Sequence, residues 1–453
     1  MAPSKDACCA LDVESRGAQF VDKEGRRVTL RGVNLAGGKV PFDGPTHRAE
    51  GLFETARTRS YVGRPFPLAD APAHFRRLRA WGFNVVRLVV TWDALEHAGP
   101  GDYDREYIAY VASVVEAARD FGICVVVDPH QDVWSRFSGG SGAPAWTFAA
   151  VGLDVEALAA TGAALVHATC GDPAHFPRMC WPTNKDKLAC FTMFTLFFGG
   201  DRFAPKCAID GEPAQRYLQR HYVAALAELA AALKHCANVV GFGSMNEPLP
   251  GLIGREDLGA LDGPLRNGRM PTPFQAMALG DGHAVDVGVY AIDSLWTLAF
   301  GRAVGSRTEN AAGRRAWLDG RDCVWKAHGV WGGGAGTGGA PRLLKPDYFA
   351  VGADYFGRHC FRPFLEKYAA AIRARGHPRW KVFVELPPAD LGLCAFPDLT
   401  NGGAAVKLDA NTPAYVHAPH WYDQLTLFFG ASGRRRPGEG RAGTATPPRE
   451  PET

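Results

Sequence analysis

Neither sign of charge predominates in this chain. Its 50 lysines and arginines nearly balance 47 aspartates and glutamates, for a formal charge of +3, and the one dense basic run, Arg434 to Arg436, sits near the C-terminus. Nucleic-acid binding needs a concentrated basic face, so no such partner is implied. Long apolar runs are also missing: nowhere do the ~18 uninterrupted apolar residues of a membrane helix occur. The N-terminal stretch "MAPSKDACCALDVESRG" has charges where an export signal needs a continuous apolar region. These absences predict a soluble, cytoplasmic protein, one still able to touch a membrane surface or an organelle.

A disulfide framework is not visible either. Eleven cysteines are scattered and odd in number, which fits reduced thiols in a cytosolic compartment. The pair Cys8-Cys9 offers a palmitoylation reading that nothing beside it supports. No metal ligand set is present: "DPHQD" holds one histidine, and the Cys170 to Cys180 spacing has no matching second pair. The glycine cluster near residue 332 lacks the Lys-Ser/Thr ending of a phosphate loop. Neither metal nor cofactor is expected, and no internal repeat is evident.

What is present is alternation. Strand-like runs, each ending in polar residues, are separated by helical patterns or long insertions, which argues for a parallel sheet with helices outside it. Six such strands are predicted, over 26–37, 84–92, 123–130, 239–248, 380–386 and 414–423. Helices are predicted over 74–83, 104–122, 213–235 and 362–376 from their apolar spacing and closing glycines. Two insertions interrupt the order: 131–211, rich in Trp, Phe, Gly and Pro, and 249–345, read as a set of partly mobile loops. Within the first, "MFTLFFGG" (193–200) reads as core rather than as a membrane anchor. The last twenty residues are charged, Pro/Gly-rich and aperiodic, and are expected to be disordered.

Polar residues gather where the apolar strands end. Arg87 lies in the second strand, Asp128 and His130 end the third, Asn246 and Glu247 end the fourth in "VVGFGSMNEP", and His420 and Tyr422 end the sixth. In a β/α barrel those ends share the catalytic face. Each residue has a plainer reading: an ion-pair partner for Arg87, a satisfied core histidine for His130, a helix cap for Asn246-Glu247-Pro248, aromatic packing for "HWY". Their coincidence at strand ends favours one site, because a buried strand that stops at a carboxylate needs a partner or a purpose.

"RGVNL", "GFNVVRLVVTW", "DPHQDVWSRFSGG", "NEP" and "HWYD", in that order, resemble glycoside hydrolase family 5, a family of retaining (β/α)8 hydrolases. The segment "WPTNKDKLACFTMFTLFFGGDRFAPKCAIDGEPAQRYLQRHY" is similar to the branch holding endoglycoceramidase-related proteins, fungal-type glucosylceramidases and steryl β-glucosidases. The resemblance covers roughly residues 15 to 425. It implies an α/β fold of the TIM-barrel type over 18–430, between an N-terminal tail (1–17) and the C-terminal tail (431–453), and a β-glucosylated lipid as substrate. It further implies Glu247 as general acid/base, Asn246 on the sugar 2-hydroxyl, His130 and Asp128 in the sugar subsite, and Arg87 orienting the nucleophile's carboxylate. His420 and Tyr422 match the family's sixth-strand pair, whose tyrosine bonds that nucleophile. Trp134, Trp146 and Trp181 are candidates to stack on sugar or lipid, with core packing the competing use of an indole. A proton donor near neutral pH needs a raised carboxyl pKa, which a partly apolar cleft supplies.

The resemblance also exposes a deficit. The family's nucleophile is a glutamate ending a seventh strand, yet after Tyr422 the only carboxylates are Asp423, Glu439, Glu450 and Glu452. The barrel is therefore expected to be incomplete, with six strands. Glu385 ends the fifth strand, beside the fourth rather than across the barrel, and is the low-ranked substitute. Retaining chemistry needs carboxyl groups ~5 to 5.5 Å apart. Three function classes follow: a β-glycosidase cut short, a non-catalytic glycolipid-binding relative, or a hydrolase using Glu385 or an inverting scheme with Glu247 as acid. A six-stranded open sheet with two edges is predicted to aggregate. Size-exclusion chromatography showing a stable monomer that unfolds cooperatively would overturn this expectation; the oligomeric state itself is not legible.

Overall fold

A computed structural model of the chain describes residues 14–16, 19–22, 24–41, 51–170, 175–263, 265–334, 339–387, 397–401, 404–405, 407 and 414–429. The expected C-terminal tail and most of the N-terminal one lie outside these residues. At the centre is a six-stranded sheet of β1 (Gly32–Leu35), β2 (Val85–Thr91), β3 (Cys124–His130), β4 (Val239–Gly243), β5 (Lys381–Val384) and β6 (Tyr415–His417). The strands lie side by side in chain order, and every pair is parallel. This is the architecture of an incomplete β/α barrel. Among the described residues neither β1 nor β6 pairs with a further strand on its outer side.

The period of two divides each strand between two environments. Val125, Val127, Val239, Val382 and Val384 point to the helices and join the main core. Cys124, Val126, Val240 and Phe383 point the other way and form a small inner cluster with Val85 and Val416. Phe20, from the hairpin that precedes β1, lies against it with its ring 6.5 Å from that of Phe383. Continuing the alternation along this inner side leads from Val85 to Arg87, from Val126 to Asp128 and His130, and from Phe383 to Glu385. The lower half of the inner side is thus apolar and the strand ends are charged.

Helices α1 (Ala71–Ala80), α2 (Arg105–Asp120), α3 (Leu188–Phe203), α4 (Ala214–Leu233) and α5 (Arg362–Arg375) cover the outer side. Asp104 caps α2 by accepting from the Tyr107 amide at 2.8 Å. α3 contains the "MFTLFFGG" stretch, and apart from its final turn all its residues are buried. Phe197 meets Trp134, Tyr222 and Phe364, and Phe198 meets Phe356, Phe361 and Phe364. The stretch is core, as its sequence suggested. No helix among the described residues is long and apolar enough to cross a membrane.

Two expectations need correction. The insertion 249–345 is not a set of loops. It holds an antiparallel sheet of Gly268–Met270, Val285–Ala291 and Arg302–Glu309, the helices Pro273–Gly280 and Leu295–Phe300, and a hairpin of Trp331–Gly334 with Gly339–Leu343. Its glycines sit beside β-branched residues in short strands, and the glycine clusters mask that period. The end strands are also shorter than predicted, so that His420 and Tyr422 lie past β6 on an irregular segment. Because Phe197 sits where three aromatic neighbours converge, Phe197→Ala should destabilise the fold by ~3 to 5 kcal/mol, read as a shifted denaturant midpoint.

Candidate active site

The strand ends bring six of the predicted residues together. Arg87 on β2 is the hub: Nη1 lies 2.9 Å from Asp128 Oδ2 of β3, and Nη2 donates to Asn246 Oδ1 at 2.9 Å and to Glu385 Oε2 at 2.6 Å. Asp128 Oδ2 also meets His130 Nδ1 at 2.7 Å. From the segment after β6, His420 places one ring nitrogen on each of two carboxylates. Nδ1 lies 2.7 Å from Glu247 Oε1, and Nε2 lies 3.1 Å from Glu385 Oε2. Tyr422, 41% exposed, donates its hydroxyl to Glu247 Oε1 at 3.1 Å.

Neighbouring groups fix the backbone that carries Glu247. The Asn246 amide donates to the Pro129 carbonyl at 3.0 Å. Gln131 Nε2 donates to the carbonyls of Asn246 and Glu247 at 2.6 and 3.0 Å, and Asn246 Nδ2 returns a bond to the Gln131 carbonyl at 2.8 Å. Glu247 itself has φ of +39°, in the left-handed region that disfavours side chains with a Cβ. From outside, Tyr222 of α4 and Tyr368 of α5 donate to the carbonyls of Ser244 and Gly243 at 3.0 and 2.8 Å. The helices thus hold the end of β4 in place.

Sequence reasoning passed over several members of this cluster. Asp132 takes His130 Nε2 at 3.2 Å and pairs with Lys39, which lies just past β1. Asp128, His130 and Asp132 are spaced two apart, a period-two signal that was present in "DPHQD". Gln131 sits between them and serves the neighbouring strand instead. Lys39 announced itself only as a cation after a glycine pair.

The tryptophans part company with expectation. Trp134 is 2% exposed, its Nε1 donates to Thr147 Oγ1 at 3.1 Å, and Trp92, Phe194 and Phe197 surround its ring. It is a core residue with no face free for a sugar. Trp146 is likewise buried, donating to the Glu96 carbonyl at 2.7 Å. The side chain of Trp181 lies outside the described residues. The tyrosine expected to bond a nucleophile instead bonds Glu247, and Arg87 orients Glu385, the carboxylate in its reach. Among the described residues no group of three or more His, Cys, Asp or Glu could hold a metal ion.

Burial and charge set the protonation pattern. Burial opposes a charge on His130, but Asp128 and then Asp132 overcome it and push its pKa up to about 9. Burial likewise opposes a charge on His420, but hydrogen bonds to Glu247 and Glu385 push it up to about 9. Burial raises the carboxyl pKa of Glu385, with Asp128 adding to it and His420 and Arg87 opposing. Asp132 is held below the usual carboxylate range: burial would raise it, but His130 and Lys39 prevail. His130, His420, Arg87 and Lys39 thus each lie against a carboxyl group of Asp128, Asp132, Glu247 or Glu385, so none of these groups stands alone.

A parallel β/α sheet with amide and carboxylate side by side past the end of its fourth strand defines the class: an incomplete β/α barrel of the TIM type. Residues 22–162 match the family described as cellulase (glycosyl hydrolase family 5). The likeness to that family thus covers the first three strands of the sheet. It is 40% identical over 433 residues to a glucosylceramidase of Rhizopus delemar, a match covering 92% of this chain and 60% of that protein. It is 36% identical to an ergosteryl-beta-glucosidase of Saccharomyces cerevisiae, covering 93% of this chain and 59% of that protein. A crystal structure of sterylglucosidase 1 of Cryptococcus neoformans superposes with a TM-score of 0.81 at 35% identity, covering 92% of this chain and 61% of that one. The chain therefore spans about 60% of the length of the relatives it matches.

A histidine whose folded pKa is raised contributes stability fully below its unfolded value of ~6.5 and loses it as the pH climbs through the folded value. His130 and His420 should therefore make the fold less resistant to denaturant as pH rises from ~6.5 past about 9. Asp132, shifted down, contributes above ~4 and loses its contribution in acid. Urea titrations across this range should show the alkaline decline, and the double change His130→Gln with His420→Gln should flatten it. An unchanged slope would refute the charge assignment.

Proposed function

We propose that this chain carries the acid/base half of a retaining β-glucosidase site for glucosylated lipids, glucosylceramide or a steryl β-glucoside. One observation supports it above the others: Asn246 and Glu247 end β4 on a fixed backbone, with His420 and Tyr422 both bonded to Glu247 Oε1. An acid held this way can protonate a glycosidic oxygen and then take a proton from water, and the adjacent amide can bind the sugar 2-hydroxyl. Arg87, Asp128 and His130 then shape the sugar subsite. The relatives named for glucosylceramide and ergosteryl glucoside support the lipid aglycone, since their likeness runs along more than nine-tenths of this chain.

Glu385 has a different role in this reading. It is 2% exposed and bonded to both Arg87 and His420, so it holds the histidine that holds Glu247. The imidazole of His420 stands between the two carboxylates, bonded to both. The remaining described carboxylate nearby, Asp423, accepts from the Thr426 amide and hydroxyl at 3.2 and 2.7 Å. This engagement of both carboxylates favours a second reading, recognition of a glucosylated lipid without turnover.

Hydrolysis of an aryl β-glucoside and release of glucose from glucosylceramide and ergosteryl β-glucoside separate the readings. If the chain turns over any of these, Glu247→Gln should lower kcat by ~10² to 10⁴. Turnover that survives Glu247→Gln would remove the acid/base assignment. Calorimetric binding of the same lipids without turnover would support the second reading, and Asn246→Ala should weaken that binding by ~1 to 3 kcal/mol.

A further inference from the structure

The insertion that follows Glu247 carries a short helix with its polarity reversed. Over Leu295–Phe300 the buried residues are Thr297 and Leu298, whereas Leu295, Trp296 and Phe300 are 62%, 71% and 59% exposed. The rings of Trp296 and Phe300 lie 4.5 Å apart, and Val304 extends the surface onto the next strand. Single exposed apolar residues are ordinary, but a paired indole and phenyl with aliphatic neighbours form a patch.

The helix is pinned in this orientation. The Ser294 hydroxyl accepts from the Thr297 amide at 3.2 Å, and Thr297 Oγ1 accepts from the amides of Asp293 and Ser294 at 2.8 and 2.9 Å. Leu298 packs with Leu265 beneath. Rolling the helix to bury its rings would break the caps and bring Thr297 to the surface. Next to the helix stands one largely exposed guanidinium group, Arg302, held at 2.5 Å by Asp293.

Exposed Trp and Phe on a fixed helix with arginine at the edge match the boundary between acyl chains and phosphate head groups, where indoles concentrate and guanidinium meets phosphate. The insertion leaves from the C-terminal end of β4, the same face on which Glu247 sits. We propose that Leu295, Trp296 and Phe300 dock the chain on a phospholipid bilayer. The choice of occupant rests on the lipid-glucoside reading, since a substrate anchored in a bilayer brings that surface to the site.

Flotation of the full chain with phosphatidylcholine vesicles lacking any glucolipid tests the surface by itself. The wild-type chain should float with the vesicles, and the double variant Trp296→Ser, Phe300→Ser should need at least ~10-fold more lipid for the same bound fraction. Leu295→Asp, a single change at an exposed position, should weaken flotation in the same direction. With glucosylceramide in the vesicles, the double variant should release less glucose while its rate on a soluble aryl β-glucoside stays at the wild-type level. If no form hydrolyses any glucoside, the turnover reading fails and flotation still decides the docking surface. Absence of wild-type flotation, equal flotation of both variants, or sedimentation showing a dimer that the double variant abolishes would overturn the proposal.

Discussion

A guanidinium enclosed among strand ends must meet negative charge or be expelled, and Arg87 meets it on two strands, with an amide oxygen from a third. Asp128 of β3, Asn246 beyond β4 and Glu385 beyond β5 all bond to it. Removing one member of such a buried set leaves charges without partners, which costs more than the pair gains by forming. Arg87 therefore fixes where the ends of β3, β4 and β5 stand relative to one another. His420 then extends the same set to the segment after β6 by taking Glu247 on one nitrogen and Glu385 on the other. The cluster is the bolt that holds the upper sheet.

The packing below supports that bolt from two sides. On the inner side Phe20, Val126, Val240 and Phe383 fill the level below the charges. On the outer side the phenols of Tyr222 and Tyr368 reach from α4 and α5 to the β4 carbonyls, so the position of Glu247 is tied to helix packing. α3, itself part of the first insertion, sets its phenylalanines against Trp134 of the same insertion, Tyr222 of α4 and Phe364 of α5. Segments that interrupt the barrel in sequence are therefore part of what makes its site rigid.

Much of this was legible before any coordinates. The six strands, their order and the convergence of Arg87, Asp128, His130, Asn246, Glu247, His420 and Tyr422 followed from apolar runs that end in polar residues, because a parallel sheet puts like ends on one face. What stayed hidden had physical causes. Trp134 sits two residues past Asp132 in a turn at φ of +82°, and a turn of that kind sends its ring back into the core, which spacing cannot reveal. The sheet within 249–345 was obscured by glycines that carry no side-chain period. Gln131 and Lys39 act across strands, through contacts that no local pattern encodes.

The backbone at Glu247 has a consequence for how this chain came to be as it is. At φ of +39° a glycine would relax the main chain by ~1 to 2 kcal/mol, so folding alone favours losing the side chain there. Chance substitution in a protein relieved of any task would settle on the relaxed residue, since stability is what drift without a task can still reward. A glutamate stands at that position instead, with Gln131 clamping the carbonyls on either side of its α-carbon, so the hydrogen bonds around it offset a strain that folding alone would not select.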